Sequence, residues 1–434
     1  MESILDAINF LQNIFWQYIG FLVIILSGLY LTIISKGFQF KTLANFRKNF
    51  GELLHEGRKK GDEGIHPFKL YFASVGGMVG LGNIVLIGAG VVIGGPGSIF
   101  WMWVASFCGM LIKYSEIYLG VKYRVSNGRR SYNGGPMYYL RAAFDNKFIP
   151  ALSAFLLCIY GVEIYQFTVI VDCIEHSFEL DRHIVIVGLL IASLYTVIGG
   201  VRRLSNVCSV MMPMLMIVYI VTCLYIIISH YSVLPSVFYE IFHGAFHGTA
   251  PIGGFVGSSM MMAAYQGTSR AVYAGDIGIG YDSVVQSETM IQEPKKQAQI
   301  AIYALFSDTF ICMMTTLLIS VTGAWNTMND MPSANVVPNI LSQYLPYADI
   351  FMTVLLFFAG FTTVVAFFTT GVKSAHFLNH KYGKYIYIIY ATSAFVIFSE
   401  YNADKIYPVM YLVGGLLMLM NTWGILRLSR KIEF

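Results

Sequence analysis

The sequence predicts an all-α integral membrane protein of about eleven transmembrane helices. One extra N-terminal helix precedes two five-helix units of opposite orientation. Three observations lead there: scarce charge, apolar runs of membrane-crossing length, and two glycine-broken segments at matching points. Of the 434 residues, 56% are hydrophobic and only 12% charged, about half the charged share of an ordinary soluble domain. A soluble chain of this length would need more polar surface.

The first apolar run, "IFWQYIGFLVIILSGLYLTIIS" from Ile14 to Ser35, carries no charge and no small-residue cleavage site. It exceeds a signal-peptide core and reads as a retained helix. Further runs place helices near 70–93, 98–121, 149–174, 184–200, 206–229, 253–277, 298–321, 348–371, 385–400 and 406–426. The connecting segments then divide by charge. On one side fall 24 of the 28 Lys and Arg residues: in 36–69, in 122–147, at Arg202 and Arg203, Lys295 and Lys296, Lys373, Lys381 and Lys384, and in the tail. The other side has Arg182 and Lys405, while Lys113 and Arg270 lie inside apolar runs. Positive charge marks the cytoplasmic side, so the N-terminus is expected outside and the C-terminus in the cytoplasm, in a bacterial inner membrane.

This divides the chain into 1–69 (extra helix and basic loop), 70–229 (first repeat), 230–252 (outer interfacial loop) and 253–434 (second repeat and short tail). Once the basic residues are assigned to cytoplasmic loops, nothing points to nucleic acid; the partner is the lipid bilayer. The six cysteines fall in or beside apolar runs without metal-ligand spacing and read as buried thiols. His243 and His247 could share a helix face as metal ligands, but no third ligand is near and interfacial aromatics are the simpler reading. No histidine in a span pairs with a carboxylate at useful spacing, so an intramembrane enzyme is not expected and no cofactor is implied.

The glycines carry the function. "GMVGLGNIVLIGAGVVIGGPG" opens the second span and "AVYAGDIGIGYDS" lies in the seventh. Leaving out the first helix, each broken segment opens one unit of five, and the two units enter the membrane from opposite sides. That is the inverted-repeat signature of a secondary transporter. An unwound stretch at mid-membrane exposes amide N–H groups that favour a carboxylate and carbonyls that favour a cation. Glycine also serves close packing of membrane helices, and "GAGVVIGGPG" from Gly88 fits packing and a tight turn better than a site.

"GLGNI" (Gly80–Ile84), "IGGPGSIFWMWVASFCGMLIKYSEIYLGVKYR" (Ile93–Arg124), "GGPMYYL" (Gly134–Leu140) and "QAQIAIYALFSDTF" (Gln297–Phe310) closely resemble the alanine or glycine:cation symporter family. The resemblance implies a LeuT-like fold with a 5+5 inverted repeat, Na+ as coupling ion, and a small neutral amino acid as substrate. "VGLGN" is also similar to the first broken helix of the sodium-coupled neurotransmitter transporters. It implies a Na+ site at the matching Gly76, Val79, Ala359, Thr362 and Thr363, the last three in "FAGFTTVV". Two threonines bonding back within their own helix is the alternative. For the substrate it implies Gly80, Leu81 and Gly82, whose amides would hold the carboxylate, with Gln166 on the fourth span and Tyr273, Gly275 and Asp276 at the second break. Ordinary packing is the other reading of Tyr273.

The sequence also departs from the family. Leu81 stands where threonine is usual. In "AGDIGIGYDS" the family's Asn and Glu become Gly275 and Asp276, and its Ala-Pro becomes Asp282-Ser283. These changes bear on substrate identity more than on fold, so alanine or glycine is a default, and a transport-fold sensor without uptake stays open. Acids inside the membrane add a proton-coupled alternative. Glu163, midway through the fourth span, is a candidate proton relay or cation ligand. Asp276, Asp282 and Asp308 with Arg270 form a candidate inner gate, a solvated face being the other reading of Asp282. Lys113 and Glu116 stand three apart on one helix face and are expected to pair.

Overall fold

The computed structural model describes residues 2–56, 63–128, 131–247, 256–327, 333–400 and 407–434. Of the basic residues counted above, Arg58, Lys59, Lys60, Arg129, Arg130 and Lys405 lie outside this set, as do 248–252 of the outer loop and the expected starts of the seventh and eleventh spans.

The described chain is almost wholly helical. α1 (Glu2–Ile14) and α2 (Phe21–Ile34) join through a π-turn at Phe15–Gly20; α3 (Phe38–Ala44) and α4 (Phe46–Glu56) then lead to α5 (Pro67–Met78), and a second π-turn at Gly82–Leu86 feeds α6 (Ile87–Gly94). α7 (Gly97–Lys122), a two-residue antiparallel pair β1 (Val125–Ser126) and β2 (Tyr132–Asn133), and α8 (Pro136–Ala143) follow. α9 (Phe148–Tyr160), α10 (Ile164–Phe178), α11 (Arg182–Ile198), α12 (Gly200–Ser229) and the interfacial α13 (Leu234–His247) complete the first half. The second half comprises α14 (Val256–Ala274), α15 (Tyr281–Gln286), α16 (Pro294–Val321), α17 (Ala324–Thr327), α18 (Ser333–Ser342), α19 (Ala348–Leu378), α20 (Gly383–Phe398) and α21 (Tyr407–Arg427).

Among the described residues, seven helices are long and apolar enough to cross a membrane, or eight if the bent α5–α6 pair is one span. α11 and α20 are shorter apolar helices. The chain is therefore an integral membrane protein. Large apolar side chains face outward along its length, such as Ile33, Ile191, Val210 and Ile217, all more than 60% exposed, as lipid-facing positions require.

The two ends differ as the charge pattern anticipates. At one end Lys69 Nζ donates to Asn206 (2.7 Å), Lys122 to the Lys431 carbonyl (2.7 Å), and Arg124 to the Ser287 and Thr289 carbonyls (2.9 and 2.7 Å). These bonds gather the basic segments onto one surface. At the other end Arg182 holds Asp172 and Glu175, both at 2.6 Å, and Tyr344 meets His230 at 3.1 Å.

The two broken spans lie side by side in opposite directions. α5 packs on α15 and α6 on α14, through Tyr281 Oη donating to the Ala73 carbonyl (2.6 Å) and Gln286 Nε2 to the Leu70 carbonyl (3.0 Å). The later glycines of the first segment serve this packing. A Cβ on Gly90 would come within 2.9 Å of Arg270 Cγ, and one on Gly94 within 3.0 Å of Gln266 Cβ. Gly95, at φ +70°, then turns the chain through Pro96 into α7.

The fourth expected span is present as Phe148–Phe178, with a local opening in its helix. The apolar run 149–174 predicts a single helix, but α9 ends at Tyr160 and α10 begins at Ile164. Gly161 allows it: a Cβ there would lie 2.6 Å from Tyr387 Oη and 2.9 Å from the Phe367 carbonyl.

Candidate functional site

At the first break the helix opens at Val79, which has φ −76° and ψ 83°. The Gly80 amide donates to the Met78 carbonyl at 2.9 Å, closing an inverse γ-turn centred on Val79. α5 and the following helical segment consequently diverge by 51°. Backbone groups freed this way must find partners in a low-dielectric setting, and the neighbouring elements supply them. Gly80 N–H also donates to Asn83 Oδ1 (3.1 Å), and Leu81 N–H donates to Gln166 Oε1 (3.1 Å). The Gly76 carbonyl accepts the Thr363 hydroxyl (3.1 Å). A Cβ on Gly80 would stand 2.7 Å from both Gln166 Oε1 and Thr363 Oγ1, so only glycine lets these two side chains converge there.

Of the expected ion-site residues, Thr363 and Gly76 meet directly, from positions 287 apart in the chain. Gly76 and Val79 lie on α5 and its break; Ala359, Thr362 and Thr363 lie on α19. The two threonines differ. Thr363 shares its hydroxyl between the Gly76 and Ala359 carbonyls, whereas Thr362 bonds back to Phe358 (2.9 Å) and Ala359 (3.0 Å) and touches Met212 Sδ at 3.4 Å.

The second break spans Gly275–Gly280, where Asp276, Gly278 and Gly280 take φ values of +49°, +74° and +115°. Its exposed carbonyls are already capped. Lys113 Nζ donates to the carbonyls of Gly275 (2.6 Å) and Asp276 (3.0 Å), and Asn421 Nδ2 to those of Gly278 (2.9 Å) and Ile279 (2.8 Å). Lys113 also lies 2.9 Å from Asp282 and 3.6 Å from the Asp276 carboxylate. The expected Lys113–Glu116 pair gives way to this arrangement, and Glu116 instead accepts the Ser283 amide (3.3 Å). A helix-face spacing cannot see partners that arrive from another broken helix.

Tyr273 lies against the first break. A Cβ on Gly82 would meet its ring at 3.4 Å, and the ring stacks on Tyr411 at 4.8 Å. Asp308 links the two breaks: Oδ1 accepts Asn83 Nδ2 (2.6 Å), and a Cβ on Gly275 would lie 3.4 Å from Oδ2. Arg270 is placed differently from the expected gate. Its Nη1 donates to the Tyr411 hydroxyl (2.9 Å) and its stem covers Gly90, so the cation between Asp276 and Asp282 is Lys113.

The break at Gly161–Glu163 repeats the first one's device. Ile164 N–H donates to the Val162 carbonyl at 2.6 Å, and Glu163 sits between them at φ −68°, ψ 64°, a second inverse γ-turn. Glu163 is 2% exposed and Gln166 4%. The sequence singles out both residues but not the turn that holds them.

Two cavities approach from opposite ends. One of about 530 Å3 is lined by Val85, Asp172, Asp349 and Leu356, and one of about 480 Å3 by Arg202, Glu288, Thr369 and Lys373. Along α19, Thr363 stands between them, seven residues past Leu356 and six before Thr369, or about 10 Å from each at 1.5 Å per residue. Asn83, Lys113 and Asn421 are residues whose roles at the breaks the sequence does not assign, and Asp282, for which a solvated face is one reading, is fully buried.

The model of the sodium:alanine symporter family matches residues 1–433. An uncharacterised transporter of Haemophilus influenzae is 30% identical over all of this chain and 94% of its own length. The sodium/alanine symporter of Methanococcus maripaludis is 25% identical over 98% and 94% of the two chains. The probable sodium/glutamine symporter of Bacillus subtilis is 26% identical over 100% and 90%. Among solved structures, MhsT in complex with L-phenylalanine superposes with a TM-score of 0.56 at 14% identity, covering 83% of this chain and 89% of that one. A Na+-coupled sialic acid symporter gives the same TM-score at 12% identity, over 96% and 86%.

Proposed function

The chain belongs to the sodium:alanine symporter family, and from that premise we propose that it imports a small neutral amino acid together with Na+ by alternating access. It is a cation-coupled amino acid transporter with the LeuT-like fold, not an enzyme; the ion and the substrate are the proposed part. The observation that carries the reading is the convergence of the Thr363 hydroxyl on the Gly76 carbonyl beside the amides of Gly80 and Leu81. Neutral hydroxyl and carbonyl oxygens suit a hard cation and need no deprotonation. Gly76, Val79, Ala359, Thr362 and Thr363 would hold Na+.

The amides of Leu81 and Gly82 would take the substrate carboxylate, with the Gln166 oxygen leaving Leu81 N–H as substrate arrives. Tyr273 closes the site from the second broken span and, with Gly275 and Asp276, limits side-chain size. The named relatives include an alanine and a probable glutamine symporter, which makes alanine or glycine the first substrates to try. The basic end faces the cytoplasm of a bacterial inner membrane, with the N-terminus outside. Each cavity would open in turn onto Thr363 as the broken spans rock against α19 and α10.

The test is uptake by reconstituted vesicles of alanine, glycine, serine and glutamine, under an inward sodium or potassium gradient. Accumulation of one or more of them with sodium alone supports the reading. Binding without uptake would favour a sensor, and uptake driven equally by potassium would remove sodium coupling.

A further inference from the structure

Glu163 is a buried acid without a matching cation, at the point where three interrupted helices meet. It occupies the centre of the inverse γ-turn between α9 and α10, so its side chain projects from a bend held by the backbone. Its Oε2 is fully enclosed and accepts no hydrogen bond among the described residues. The Gln166 side chain lies near its carboxyl group, and Gln166 in turn accepts Leu81 N–H of the first break. The surroundings of Glu163 hold the Asp276 carboxylate and the Tyr273 phenol of the second broken span, and Tyr387 of α20 comes within 2.6 Å of where a Cβ on nearby Gly161 would stand.

None of these neighbours is positive. Lys113 is engaged by Asp282, by Asp276 and by two carbonyls, and Arg270 reaches the Tyr411 hydroxyl. An intramembrane acid persists where a partner compensates it, and such an acid marks a ligand pathway. Asp276 already shares the charge of Lys113, Asp308 accepts Asn83 Nδ2 and Glu116 accepts the Ser283 amide. Glu163 Oε2, by contrast, has no partner among the described residues and is open to a donor from outside the chain.

We propose that Glu163 is the receptor for the substrate's ammonium group. The zwitterion would then lie between the fourth span and the first break, its carboxylate on the amides of Leu81 and Gly82 and its ammonium on Glu163. Gln166 is the hinge of the exchange. Its oxygen stands in for the substrate carboxylate in the empty site and swings toward Glu163 when substrate enters. The site consequently selects for a free amino group, and rests on a third broken span in addition to the two of the inverted repeat.

This inference rests on the transport reading above, and one experiment separates the two. Alanine uptake is measured for the full chain and for Glu163→Gln in the same vesicles, with lactate, which replaces the ammonium with a hydroxyl, as competitor. The expected result is a KM for alanine raised roughly ten- to a hundred-fold in Glu163→Gln, as for loss of a hydrogen bond to a charged group. Lactate should compete relatively better in the variant than in the wild type. Wild-type protein that takes up no alanine in a sodium gradient would overturn the transport reading. Active wild type with unchanged KM and unchanged lactate competition in Glu163→Gln would overturn the ammonium receptor alone. Should the variant fail to fold, a hydrophobic carbodiimide on the wild type decides. Alanine, but not lactate, is expected to protect Glu163 from modification, and labelling indifferent to alanine contradicts the proposal.

Discussion

Lys113 Nζ lies 2.9 Å from Asp282, and neither side chain has any exposure to solvent. The lysine comes from the middle of α7 and the aspartate from the first turn of α15, so their pairing fixes the second broken span against a continuous helix. The same ammonium caps the Gly275 and Asp276 carbonyls. Lys113→Met should therefore leave a buried carboxylate and two carbonyls without their donor, a loss of about 3–5 kcal/mol. A marked fall in the melting temperature of the detergent-purified protein checks this, and an unchanged midpoint would refute it. Lys113→Arg should not restore the wild-type value, because a planar guanidinium does not reproduce a compact ammonium among three oxygen partners.

The two threonines of α19 should separate by function. Thr363 reaches across to α5, while Thr362 spends its hydroxyl on its own helix. Thr363→Ala is expected to raise the sodium concentration for half-maximal uptake by tenfold or more, on the order of one lost hydroxyl ligand. Thr363→Ser should recover most of it, and Thr362→Ala should have the smaller effect. An unchanged sodium dependence in Thr363→Ala would place the ion elsewhere.

Gly80→Ala tests the first break with a single carbon. That carbon would meet the ends of the Gln166 and Thr363 side chains at 2.7 Å. Both are side-chain tips that can be pushed aside, so the protein should fold and elute normally. Uptake should nevertheless fall below detection, because the displaced tips are the groups that line the proposed site. Normal uptake by a folded Gly80→Ala protein would show that the gap is not used.

At the basic end, Lys373 pairs with Glu288 and also donates to the Tyr132 carbonyl at 3.0 Å. Both charges line the cavity that approaches Thr363 from that end. Breaking the pair in Lys373→Ala should make a cysteine introduced at Thr369 react faster with a thiol reagent added at the basic end. The charge-exchanged double variant, Glu288→Lys with Lys373→Glu, should slow that labelling again. Identical rates in all three proteins would deny the pair a role in closing the cavity.

What the sequence made legible was what depends on local chemistry and on long-range counting. Glycine density located both breaks of the inverted repeat, and the alternation of basic loops anticipated which segments gather at one end. The pairing of Gly76 with Thr363 came from family resemblance and from the need of a cation for neutral oxygens. Partners contributed by another span were not legible. Lys113 and Glu116 are neighbours on one helix, but a broken helix more than 160 residues away supplies the groups they use. The Asn83–Asp308 link and the Asn421 cap arise in the same way. The interruption at Gly161–Glu163 was hidden because one glycine in an apolar run reads as packing. Its cause, the close approach of Tyr387 and the Phe367 carbonyl, exists only in the folded bundle.

The central claim is that one cation and one amino acid share the first break and cross together. Vesicles holding the purified protein, given radiolabelled alanine and radioactive sodium at once, test it most directly. Alanine should draw in sodium at a fixed ratio across alanine concentrations, and at limiting sodium Thr363→Ala should lower both fluxes together. Alanine entry that proceeds with no accompanying sodium would contradict the account.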